Sequence, residues 1–184
     1  MYRLLRFPYF FTLFLFQFTI LICNPQFSFS NEVDKINWTT LLPEGVYDFM
    51  PEGEITEEIW RDSKFQENLY NAGIATVKDI DGKYISITGF MVPLEVDYFA
   101  GQKVTEFLLV PSACMGIHVP PPPPNQMMLV RSKKSIPVRQ IYQPIRVFGN
   151  VKIENVMGEM TENVYTLDLE DITDTDFSDL DLGR

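Results

Sequence analysis

The sequence predicts a mainly β protein: a small five-stranded OB-like barrel with one helix and an irregular N-terminal arm. Short runs rich in β-branched and aromatic residues alternate apolar and polar positions, which is typical of half-buried strands. Such runs lie at residues 84–92, 104–110, 126–131, 145–154 and 163–169. Glycine interrupts two of them, at Gly89 and Gly149, which favours the bends or bulges that close a small barrel. A β-sandwich or a split sheet is the alternative fold.

One helix is predicted over residues 56–71, ahead of the strands. Thr56 can cap its first turn, and Glu57 suits the positive end of the helix dipole. Gly73 follows the end of the pattern, where glycine commonly terminates a helix. The helix therefore separates the N-terminal arm from the barrel strands.

The segments outside the barrel differ in character. Residues 31–55 are irregular but carry Trp38, Leu41 and Leu42, so we expect this arm to pack on the barrel and bury them. Residues 173–184 are rich in aspartate, and we expect a solvated, disordered acidic tail there. The predicted organisation is a signal peptide at 1–30, the arm at 31–55, the barrel at 56–172 and the tail at 173–184.

The start of the chain is typical of an export signal. Arg3 and Arg6 precede an almost entirely apolar run, and Ser28 and Ser30 supply small residues before a cleavage site. We therefore expect a periplasmic protein with no transmembrane segment after cleavage. Two alternatives stay open: attachment of lipid at Cys23, and an uncleaved leader that anchors the protein in the membrane.

The net charge narrows the class of partner. The chain carries a net charge of −10, and removal of the leader with its two arginines makes it −12. Nucleic acid and anionic lipid surfaces repel such an acidic protein. We therefore expect no nucleic-acid partner.

The strongest chemical candidate is a metal site at Cys114 and His118. His118 is the only histidine, and Cys114 is the only cysteine that remains once the leader is removed. A thiolate and a neutral imidazole are good ligands for zinc or copper. Two ligands do not complete a zinc site, so carboxylates or a second chain would supply the others, whereas cuprous copper also accepts methionine sulfurs. The competing interpretation is a buried thiol beside a hydrogen-bonded histidine.

An enzymatic role has less support from the sequence. The same pair could form a thiolate–imidazole nucleophile with Asn125 as the group that orients the ring, but a proline run separates Asn125 from His118. The sequence lacks the signatures of serine hydrolases, phosphate loops, dinucleotide sites and zinc peptidases. We favour a non-enzymatic protein, with catalysis by this pair as the alternative.

A second candidate binding site is the proline-rich segment that follows His118. It comprises Pro120, Pro121, Pro122, Pro123, Pro124, Asn125 and Gln126. Consecutive prolines lack N–H donors and hold φ near −65°, so they predict a polyproline II rod of roughly 15 Å. Such a rod suits the aromatic groove of a partner. Alternatively, it is a rigid cover over an open edge of the barrel.

Three blocks of the sequence are distinctive as a set. They are Gly89-Phe-Met-Val-Pro-Leu-Glu95, Glu106-Phe-Leu-Leu-Val-Pro111 and His118-Val-Pro-Pro-Pro-Pro-Pro-Asn-Gln126. These blocks resemble the DUF3299 family of small exported bacterial proteins of unknown function, and Trp38 with Leu41-Leu-Pro-Glu44 is similar to that family's N-terminal arm. The resemblance, over about residues 37–153, implies an envelope protein, often encoded near ABC-type transport components. In the family pattern the cysteine stands two residues before the histidine, where this chain has Gly116.

These observations lead to two expected functions. The first is a periplasmic accessory or binding protein of an envelope transport system, with an ABC-type transporter or another envelope protein as partner. This protein would bind zinc or copper at Cys114 and His118. The second is a protein-interaction adaptor that uses the polyproline segment and binds no metal.

Overall fold

The computed structural model describes residues 33–113, 122–158 and 162–180, and these ranges contain six strands and two α-helices. The strands are β1 (Asp34–Lys35), β2 (Tyr84–Pro93), β3 (Lys103–Val110), β4 (Met128–Pro137), β5 (Pro144–Met157) and β6 (Glu162–Asp174). The helices are α1 (Glu57–Arg61) and α2 (Ser63–Ile74). The predicted leader lies outside the described residues, so its cleavage stays a prediction.

Five of the strands close into a barrel. The order around it is β2-β3-β4-β6-β5, and β2 closes the circle because it pairs with both β3 and β5. The β4–β6 pair is parallel, whereas the other pairs of the barrel are antiparallel. The short β1 adds to β2 in parallel, opposite Ile85 and Ser86. The predicted mainly β fold with a closed five-stranded barrel is thereby confirmed.

Two glycines allow backbones to approach closely inside this barrel. A Cβ atom at Gly149 would lie 2.2 Å from the carbonyl oxygen of Asp168, and one at Gly89 would lie 2.6 Å from that of Val110. The register of β5 against β6 shifts between Phe148 and Gly149, which confirms a bulge at the second glycine. Both glycines therefore bring neighbouring strands together where the sheet has to curve.

Alternate strand residues form two apolar clusters on opposite faces of the sheet. The barrel interior includes Ile85, Ile87, Phe107, Leu109, Val130, Val147, Tyr165 and Leu167. On the outer face of β2, β3 and β4 lies a second set, called here the outer cluster: Phe90, Leu108, Val110, Met127 and Leu129. Both sets are buried, so this barrel is covered by further chain on one side.

The arm packs against the barrel, and its buried apolar side chains join the interior cluster. Trp38 and Leu41 are buried, and the Trp38 indole N–H donates to the carbonyl of Thr88 at 2.8 Å. The hydroxyl of buried Tyr165 donates to the carbonyl of Leu41 at 2.9 Å and accepts from the N–H of Val77 at 2.7 Å. One barrel side chain thus holds both the arm and the segment that follows α2.

The predicted helix forms as two pieces rather than one. Asp62 lies between α1 and α2 with φ −68° and ψ 118°, outside the helical region. Its carboxylate accepts the backbone N–H groups of Lys64 at 2.7 Å and Phe65 at 3.0 Å. Aspartate competes in this way with helix continuation and begins a new helix as its cap. Within the described ranges neither helix is long and apolar enough to cross a membrane.

The C-terminal segment makes several contacts with the barrel. β6 continues to Asp174, and Phe177–Asp179 form a short 3-10 turn. Leu180 packs against the outer cluster, and Asp179 pairs with Arg146 at 3.1 Å. Some apolar and charged groups of residues 173–180 thus find partners on the barrel, and the expected division of the chain, with an acidic tail at 173–184, stays a prediction. Residues 181–184 lie outside the description.

Candidate functional site

The described residues contain only part of the predicted metal and binding segment. Cys114, His118, Pro120 and Pro121 lie outside them. Among the residues that are described, no group of three or more His, Cys, Asp or Glu side chains is placed to hold a metal ion. The metal hypothesis therefore stays a prediction that rests on the sequence.

The proline segment ends in a turn rather than in a rod. Pro123 has φ −62° and ψ 156°, which is polyproline II geometry, but Pro124–Gln126 form a 3-10 helix. The fixed φ of proline also suits the first position of a helical turn, so Pro124 begins one. The predicted rod of five prolines is therefore too long by at least one residue.

Asn125 and Gln126 hold the segment in the fold. Asn125 is buried, and its Nδ2 donates to the carbonyls of Ala72 at 2.7 Å and Ala75 at 2.9 Å. These carbonyls belong to the end of α2, where helical partners run out. Gln126 Nε2 donates to the carbonyl of Trp38 at 3.0 Å. Because the NH2 groups of both amides donate within the chain, their geometry favours a covering role for this segment.

The opposite end of the barrel carries two other connections. β2 and β4 end there and β3 and β5 begin there, so the loops at residues 94–102 and 138–143 are neighbours. The N–H of Val138 donates to the carbonyl of Gln102 at 2.9 Å and joins the two loops directly. Pro124–Gln126 come just before β4 at the other end of the barrel, so they lie away from these loops.

These two loops expose large apolar side chains. We call them together the loop-end surface: Leu94, Tyr98, Phe99, Ile141 and Tyr142. Tyr98 is 73% exposed, Tyr142 is 63% exposed and Phe99 is fully exposed. Single exposed apolar residues are common, but several large ones at one end of a domain mark interaction surfaces.

Hydrogen bonds fix the backbone beneath the loop-end surface. Asp97 and Lys103 exchange backbone hydrogen bonds of 2.8 and 3.2 Å across the base of the first loop. The Asp97 carboxylate also accepts the N–H of Ala100 at 2.9 Å. In the second loop, Gln143 Nε2 donates to the carbonyls of Pro144 at 2.9 Å and Thr175 at 3.1 Å. Such preorganisation lowers the entropy that is lost when a partner binds.

Charged groups surround the loop-end surface. Glu95 and Asp97 are exposed in the first loop. Arg139 begins the second loop and pairs with Asp174, with its Nε 2.5 Å from the carboxylate. An apolar centre with a polar, charged rim is the usual composition of a protein–protein contact.

Sequence reasoning missed the loop-end surface. The sequence feature that could have indicated it is the pair Tyr98 and Phe99. These two aromatic residues lie between predicted strands and just before Gly101. Binding residues often lie on loops that a rigid scaffold positions, so aromatic residues in a short loop indicate a binding surface. The second loop lies beside the first because of the barrel topology. The alternation of apolar and polar residues along the sequence does not by itself predict that topology.

Comparison with known proteins identifies a matching protein family. The sequence profile of DUF3299, described as a protein of unknown function, matches residues 38–174. A crystal structure of a DUF3299 family protein from Pseudomonas aeruginosa is similar, with 30% sequence identity and a TM-score of 0.58. The match covers 79% of this chain and 97% of that one. No curated protein matches the chain.

Proposed function

This chain belongs to the DUF3299 family of proteins of unknown function, and from its own surface we propose that it is a periplasmic binding protein without catalysis. It acts as an accessory of an envelope transport system and contacts a protein partner through the loop-end surface. The observation that carries the proposal is the set of exposed aromatic side chains on two hydrogen-bonded loops. Tyrosine and other aromatic residues dominate the binding energy of protein contacts.

The chemistry of the partner follows from charge. The chain carries a net charge of −10, and the loop-end surface has exposed carboxylates at Glu95 and Asp97. Opposite charges steer association and suppress wrong partners. The partner is therefore an envelope protein that presents an apolar patch ringed by lysine and arginine.

The test compares two surfaces at opposite ends of β5. We expect the double change Phe99→Ser and Tyr142→Ser to reduce recovery of a basic envelope protein with the tagged chain at least tenfold. The reason is that aromatic contact residues commonly contribute 2 kcal/mol or more, or roughly a thirtyfold change in affinity. Quantitative mass spectrometry of proteins that co-purify from the cell envelope measures the change.

The matched control is Met157→Ser. Met157 is 76% exposed and lies at the far end of β5. Both variants change exposed residues, so Tm should shift by no more than about 4 °C. Equal recovery of every envelope protein with both variants and the wild type would contradict the proposal.

A second candidate function is soft-metal binding, and the spacing of Cys114 and His118 is the observation in its favour. Both ends of the segment that carries them are fixed: Ala113 packs on the outer cluster, and Asn125 is held by α2. A thiolate and an imidazole fit zinc or copper, with the remaining ligands supplied by another group.

Metal analysis decides this second function. We expect purified protein to contain zinc or copper, and Cys114→Ser or His118→Ala each to remove it. Affinity should fall as the pH drops toward about 6.5, the ordinary pKa of imidazole, because protons compete for the ligands. Metal-free wild type, or unchanged metal content in both variants, would contradict metal binding and leave protein contact through the loop-end surface as the proposed function.

A further inference from the structure

The C-terminal segment occupies a groove on the outside of the barrel. After β6 ends at Asp174, the N–H of Thr175 donates to the carbonyl of Pro144 at 3.0 Å. The chain then turns through Phe177–Asp179 and places Leu180 against the outer cluster. No strand pairing of the barrel depends on residues 175–180.

A fixed arginine forms the polar end of this groove. Arg146 points from β5 and donates through Nε to the hydroxyl of Thr88 at 3.3 Å. Its Nη2 lies 3.1 Å from the carboxylate of Asp179. The hydroxyl of Thr175 also donates to that carboxylate. Thr175 most strongly, and then Arg146 and Lys35, lower the pKa of Asp179, so the carboxylate is charged at neutral pH.

Apolar contacts form the rest of the groove. The ring of Phe177 lies 6.2 Å from that of Phe90, which is a buried member of the outer cluster. Leu180 packs against the same cluster. The occupant thus presents an aromatic ring, a carboxylate two residues later and then a leucine. Each of the three faces a matching group on the barrel.

Among the described residues, the groove continues beside its occupant. A cavity of about 440 Å³ lies beside Ser178–Leu180, between this segment and the arm. Its polar lining residues include Thr88, Lys35 and Asn37. Phe177 remains 64% exposed, and the segment has only one turn of structure. Segments with so few buried contacts open easily, so this one can exchange with another peptide.

We propose that this groove is a peptide-binding site that the chain's own residues 175–180 occupy, and that it takes a partner segment of the same chemistry. That segment carries an aromatic residue, an acidic residue two positions later and a leucine after it. Arg146 binds the carboxylate, the outer cluster receives the leucine, and the adjacent cavity accommodates longer side chains. The site goes beyond the proposed function because it lies on the outer face of β2, β3, β4 and β5, whereas the loop-end surface is formed by two loops.

The test uses a fluorescent peptide with the sequence of residues 174–180 and the full chain throughout. In the wild type the tethered segment competes at an effective concentration in the millimolar range. The double variant Phe177→Ser and Leu180→Ser weakens this competitor, so fluorescence polarisation should show binding at least tenfold tighter than to the wild type. A peptide with asparagine in place of Asp179 should bind this variant at least tenfold more weakly.

Two controls make the result decisive. Adding Arg146→Gln to the double variant should abolish the preference for the acidic peptide over its asparagine version, and circular dichroism checks that the barrel is intact. If Arg146→Gln does not fold, the comparison of the two peptides on the double variant decides alone. Equal binding of both peptides, or equal binding to the wild type and the double variant, would overturn the proposal.

Discussion

Gly149→Ala is expected to lower the free energy of unfolding by about 3 kcal/mol, the upper part of the usual range for overpacking. The added Cβ would lie 2.2 Å from the carbonyl oxygen of Asp168 and 2.7 Å from Cδ2 of Leu167. A backbone atom of the neighbouring strand cannot turn aside, so β5 and β6 would have to separate at the bulge. For a domain of this size we expect Tm to fall by roughly 6–12 °C in a thermal scan.

Asn150→Ala is the matched control for this prediction. Asn150 is the next residue of β5, and its side chain makes an exposed hydrogen bond of 3.1 Å to Glu170. An alanine there meets no backbone and should change stability by less than about 1 kcal/mol. Similar melting temperatures for the two variants would mean that β5 and β6 are not packed as closely as described.

Asn125→Ala is expected to cost about 2–4 kcal/mol of stability. It would remove the amide that donates to the carbonyls of Ala72 and Ala75, and it would open a cavity at a buried position. The end of α2 and the proline segment should loosen together. Denaturant unfolding measures the loss of free energy, and hydrogen exchange at α2 shows where it occurs.

Pro123→Ala provides the comparison within the same segment. Pro123 is exposed and donates no hydrogen bond, so its replacement should cost no more than about 1 kcal/mol through the freedom of the unfolded chain. A normal Tm for Asn125→Ala together with lost partner binding would reverse our assignment. It would make Asn125 a contact residue, as the sequence first suggested.

Strand positions could be predicted from the sequence because the alternation of apolar and polar residues indicates which side chains face the interior. The barrel strands lie where the pattern placed them, and Gly149 marks a bulge as expected. The end of β4 was less clear, since it continues to Pro137 through the polar residues Lys133 and Lys134. Their side chains are exposed, so the pattern that identifies a half-buried strand is lost there.

The sequence pattern does not predict contacts between distant parts of the chain. The tail appeared solvated because its composition is acidic, yet Asp179 finds Arg146 on a strand that sequence spacing does not place nearby. Asn125 appeared to be a site residue because it adjoins the prolines, but its partners lie in α2, about 50 residues earlier. The roles of such polar residues depend on tertiary pairing, and a single sequence does not specify it.

The central claim is that the loop-end surface contacts a protein partner in the cell envelope. Site-specific photocrosslinking in intact cells tests it most directly, with the photoreactive amino acid at Phe99, Tyr142 or Met157 in separate experiments. We predict that positions 99 and 142 give the same adduct with one basic envelope protein, and that position 157 does not. An adduct with that protein from position 157 alone, or no adduct from positions 99 and 142, would contradict the claim.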